Sequence, residues 1–135
     1  MPSSHPALAA VLAVLPTMLP AQSLPPLRDV PAVTEGLIET AIAYEIDRVC
    51  DDLDGRRIQG IAFLWSLHNE ARGLGYSRGE IEAFIDDDVE KDRLEGIARE
   101  RLAALGAVEG QADTFCAVGR DVMARETPAG NLLSD

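Results

Sequence analysis

The amino-acid sequence predicts an all-α fold, an irregular bundle of four or five short helices closed by one disulfide. Three observations carry this. After residue 31, apolar residues recur at intervals of three and four, the period of a helix with one buried face. No segment alternates apolar and polar residues as a half-buried strand does. The two cysteines, Cys50 and Cys116, fall in different parts of the helical region, and an even count in an exported chain is read as a disulfide pair.

The first residues stand apart. Residues 1–21 hold no Lys, Arg, Asp or Glu, and an apolar run from Ala7 to Leu19 leads into Pro20, Ala21, Gln22 and Ser23. That order is the pattern of a secretory signal peptide, with cleavage expected after Ala21. The run is too short to cross roughly 30 Å of hydrocarbon and Pro16 interrupts it, so removal is expected rather than retention as an anchor. The expected location is periplasmic or secreted. Residues 22–31 contain Pro25, Pro26 and Pro31, which oppose helix hydrogen bonding and favour an extended lead-in. Residues 32–135 remain for the helical domain.

The first helix is expected from Ala32 to Cys50, on the stripe Val33, Leu37, Ile38, Ala41, Ile42, Ile46 and Val49. Asp51, Asp52, Asp54 and Gly55 supply a turn, with Gly55 free to take a positive φ. A second helix follows from about Arg56 to Arg72, with Ile58, Ile61, Ala62, Trp65 and His68 on one face and Phe63, Leu64 and Leu67 widening it. So broad a face predicts a central helix between two neighbours. Gly73 to Tyr76 ends it, and Ser77 with Glu80 has the spacing of a capping box. A bend or restart is expected at Asp86-Asp87-Asp88, where Asp87 and Glu90 repeat that spacing, before the stripe Val89, Leu94, Ile97, Ala98, Leu102 and Leu105 runs on to Gly106. Asp113 is the expected cap of a last helix from Thr114 to about Arg125, with Gly119 allowing close contact. Pro128 either ends the periodic region or begins a short terminal turn through Leu133. The disulfide would then join the end of the first helix to the start of the last.

Several landmarks resemble an uncharacterised family of small secreted alphaproteobacterial proteins that carries a domain-of-unknown-function label. They are Pro25 to Pro31, Gly73 to Ser77, Thr114 to Arg120 and Gly130 to Leu133. The resemblance supports the helical reading and the paired cysteines and implies no activity.

Charge narrows the function. With 12 basic residues among 23 acidic ones and a net charge of −11, the chain lacks the Lys/Arg cluster that phosphate backbones or anionic membranes require. His68 is the single histidine beyond the leader; Ser66, two residues away, points to another helix face, so they form no nucleophile and base pair. The segment Asp51 to Gly55 fails as a calcium loop, because aligning Gly55 puts Cys50 and Ile61 at carboxylate positions. Asp86, Asp87, Asp88 and Glu90 read as a helix start or, alternatively, as a cation site. No catalytic residue, metal or cofactor is assigned. The expected function is a non-enzymatic exported module that binds a protein or peptide, with Trp65 and Tyr76 as candidate partner contacts. The alternatives are an acid-stress chaperone that loosens as carboxylates protonate, and a small carboxylate-dependent enzyme working with or without a cation.

Overall fold

The computed structural model describes residues 1, 2, 16 and 23–135. The leader expected over 1–21 otherwise lies outside the described residues. Six α-helices occur among the described residues: α1 (Pro31–Val49), α2 (Arg57–Gly73), α3 (Arg78–Ile85), α4 (Asp88–Leu105), α5 (Ala112–Ala124) and the single turn α6 (Pro128–Asn131). Two two-residue strands, β1 (Asp54–Gly55) and β2 (Leu133–Ser134), pair antiparallel, Asp54 opposite Ser134 and Gly55 opposite Leu133.

The centre of the fold is α1. Pro31 at its first position has no N–H to leave unsatisfied. The helix packs against α2, α4, α5 and α6, and its stripe Ile38, Ile42 and Ile46 is buried with Leu94, Ala98 and Leu102 of α4 and Val118 and Val122 of α5. Cys50 and Cys116 are bonded with their Cα atoms 5.2 Å apart, so the first long helix and the last are neighbours as the cysteine placement predicts. At Gly119 an added Cβ would lie 2.4 Å from Leu53 Cδ1 and 2.9 Å from Ile46 Cγ2, which is why glycine sits in the middle of that helix.

The caps follow local chemistry. Ser77 and Glu80 form the complete reciprocal box ahead of α3. Asp87 accepts from the N–H groups of Val89 and Glu90 and restarts the chain as α4; Glu90 does not reach back, because its carboxylate is buried and engaged by Arg28 and Arg93. Gly106, at φ 113°, ends α4.

Four expectations are corrected. Residues 22–31 are not simply extended: Leu27–Asp29 forms a 3₁₀ turn, and Leu27 and Val30 are buried with Val33, Ala71, Tyr76 and Ile81 in a second small core. Gly55 takes no positive φ; it lies in β1, where its N–H donates to Asp47 Oδ1 at 2.7 Å. Asp113 is not the cap of α5, which begins earlier, at Ala112; the hydroxyl of Thr114 instead accepts from the Val108 N–H at 2.8 Å and donates to the Gln111 carbonyl. The second helix is peripheral, not central: only Leu67 and Ala71 of α2 are buried, with Phe63 partly buried against the main core, and Leu67 packs so closely on Gly36 of α1 that a Cβ there would stand 2.5 Å from it.

Candidate functional site

An open concavity lies between α1, α3 and α4. It encloses about 540 Å³, lined by Leu37, Ala41 and Tyr44 on α1, Phe84 and Ile85 on α3, and Leu94 on α4, with Glu45, Lys91 and Glu95 among its polar residues. The chain turns at Asp86 and Asp87 between α3 and α4, and α1 supplies the third side. Leu37, Ala41 and Tyr44, spaced four and three, form a second stripe beside the buried one. Their side chains reach water at the groove: Tyr44 is 58% exposed and Ile85 55%. The carboxylate of Glu45 accepts from Arg48 at 2.6 Å, and Glu95 lies 3.9 Å from Arg99, so both acids at this groove are charge-paired and the apolar surface dominates. A cavity of about 130 Å³ adjoins it, sharing Leu37, Phe84 and Ile85 and closed on its far side by Leu64, Leu67 and His68.

The structure does not bring Trp65 and Tyr76 together. Trp65 stands on the outer surface of α2 with its ring edge against His68, centroids 5.4 Å apart. Tyr76 is buried in the second core, and its hydroxyl donates to the carbonyl of Pro25, tying the lead-in down. Sequence reasoning misses Tyr44 altogether and does not separate Phe84 and Ile85 from core residues. The signal available is the second α1 stripe, one helical step from the obvious one.

The acidic run does not converge. Asp87 is used as a cap and Glu90 is turned inward to two arginines, while Asp86 and Asp88 are exposed. Among the described residues, the one grouping of three metal-type side chains is Cys50, Asp52 and Cys116, and both of its sulfurs are spent in the disulfide. Two carboxyls are displaced from their ordinary acidity, and both downwards: Glu35 by the guanidinium of Arg101, bound at 2.7 and 2.9 Å, and Glu80 by the backbone N–H of Ser77. Neither has the raised value that a general acid needs. His68 Nδ1 is closed off from solvent without a partner, and Ser66 is held by its own helix, donating to the Phe63 carbonyl at 2.6 Å.

The profile of a family of unknown function, DUF5333, matches residues 25–134. The chain belongs to that family. Its matched region starts at Pro25, so the 3₁₀ turn and the buried Leu27 lie inside it. No curated protein and no solved structure matches.

Proposed function

We propose that this DUF5333 domain is a non-enzymatic binding module that takes an apolar segment of a protein or peptide partner into the groove between α1, α3 and α4. The observation that carries the reading is the groove itself, an open apolar trough of about 540 Å³ with Tyr44 exposed at its edge. Concave apolar sites with a few polar residues are the usual form of such recognition, and an amphipathic helix laid in a groove is one recurring mode. The net charge of −11 favours a partner segment with basic flanks. The module works outside the cytoplasm, a reading supported by the Cys50–Cys116 bond and by the leader pattern of residues 1–21.

The test uses short amphipathic peptides with lysines flanking a Leu/Phe stripe, read by fluorescence anisotropy against scrambled and acidic counterparts. Saturable binding of the basic set is expected, lost in Tyr44→Glu and Ile85→Glu, both at exposed positions that leave the core intact. Equal binding of the scrambled peptides, or indifference to both substitutions, rejects the groove.

A further inference from the structure

Among the described residues, the outer face of α2 is the most exposed apolar surface on any helix. Ile58, Ile61 and Trp65 are 80%, 59% and 57% exposed, and none of the three belongs to either core. The helix is held from the opposite side, by Leu67 and Ala71. Positions 58, 61 and 65 are spaced three and four, the a–d–a spacing of a two-helix coiled-coil seam. Together the three apolar residues leave on the order of 400 Å² in water, within the roughly 300–600 Å² that the largest patch on a monomer usually reaches.

We propose that two copies of this chain associate through α2, antiparallel about a twofold axis, with these patches against each other. Twofold symmetry makes one patch its own complement. In the antiparallel register Ile61 meets the partner's Trp65 on both sides of the axis, so the seam closes on itself. Two such patches remove about 800 Å² of apolar surface from water before the polar rim of α2 is added, the scale of a small, reversible interface. Charge singles out this helix. Each copy carries −11, so most faces repel a second copy; yet residues 55–69 form the longest stretch without Asp or Glu after Asp29, and Arg56 and Arg57 stand at its start. Here alone two long helices meet without opposing carboxylates. The remaining repulsion is long-range and is screened by salt, so the dimer tightens as ionic strength rises, the reverse of what a basic partner in the groove would do.

Sedimentation equilibrium of the full chain from about 1 µM to about 1 mM decides the matter, at low and at high salt. A reversible dimer is expected, stronger in salt, with the emission of the single tryptophan, Trp65, moving to shorter wavelength in step with association. Ile61→Glu and Trp65→Glu, at exposed positions, weaken it by roughly a hundredfold, since the axis introduces each new carboxylate twice, while circular dichroism stays unchanged. Ile85→Glu, which disables the groove, leaves the dimer intact, so the two readings fail separately. A monomer over the whole range, a dimer indifferent to both α2 substitutions, or one that salt dissolves overturns the proposal.

Discussion

Gly119 and Gly96 both lie inside long helices, yet alanine at each should move stability in opposite directions. At Gly119 a new Cβ would stand 2.4 Å from Leu53 Cδ1 and 2.9 Å from Ile46 Cγ2. Ordinary contact needs about 3.5–4.0 Å, so both side chains must retreat by about 1 Å. Leu53 and Ile46 are fully buried and have nowhere to go. Overpacking of this kind costs about 1–3 kcal/mol, against a gain in helix propensity of about 1 kcal/mol. The net expectation for Gly119→Ala is a loss of about 1 kcal/mol, reaching about 2 kcal/mol at the costly end. At Gly96 a Cβ meets nothing within 4 Å, so only the propensity acts and Gly96→Ala gains about 0.5–1 kcal/mol. Thermal unfolding followed by far-UV circular dichroism, with the disulfide intact, reads both; for a domain of this size 1 kcal/mol is worth about 4 °C. A Gly119→Ala protein as stable as wild type would refute the reasoning, for it would mean that α5 stands off from Leu53 and Ile46 instead of pressing on them.

Two further predictions concern covalent and ionic ties between distant parts of the chain. Replacing both cysteines by alanine releases a link between residues 66 apart and should lower stability by roughly 4 kcal/mol on the loop-entropy model, seen as a fall in the urea midpoint; a loss under about 1 kcal/mol would show that the unfolded chain without the bond already keeps the two segments close. Glu35→Gln removes the α1–α4 pair with Arg101. Because Arg101 lowers the pKa of Glu35 in the folded state, the pair stabilises above the unfolded value and that contribution fades as pH falls through the folded one. Half-exposed as it is, it should be worth less than about 1 kcal/mol at neutral pH. The difference between variant and wild type should therefore shrink to nothing in acid; a gap that persists there would mean that the substitution perturbs packing, not charge.

Much of the fold is legible because its determinants are local. The α1 stripe, the Ser77–Glu80 box, the cap at Asp87, the stop at Gly106 and the tight glycine in α5 are each written in a few adjacent residues. What misleads is α2. Its apolar residues span most of its circumference, and periodicity alone does not separate a helix buried on two sides from one whose second side faces water. That distinction is tertiary: it depends on where α3 and α4 are sent by the turn at Asp86. The lead-in is misread for a related reason, since the prolines that forbid an α-helix there still permit a 3₁₀ turn, and the burial of Leu27 depends on Tyr76, far along the chain in a loop. The groove is hidden because Leu37, Phe84 and Ile85 carry the same apolar signature whether they fill a core or line a trough.

The contribution of the last segment to the core bears on when the domain can fold. Ala129, Leu132 and Leu133 are buried against α1 and its neighbours, the N–H of Ala129 donates to Glu39 at 2.9 Å, and the Arg56 N–H donates to the Leu132 carbonyl at 2.7 Å. The central helix, made early, waits for partners made last. During synthesis the nascent chain therefore lacks a closed core until residues 128–134 have left the ribosome, and such long-range closure is slow to nucleate.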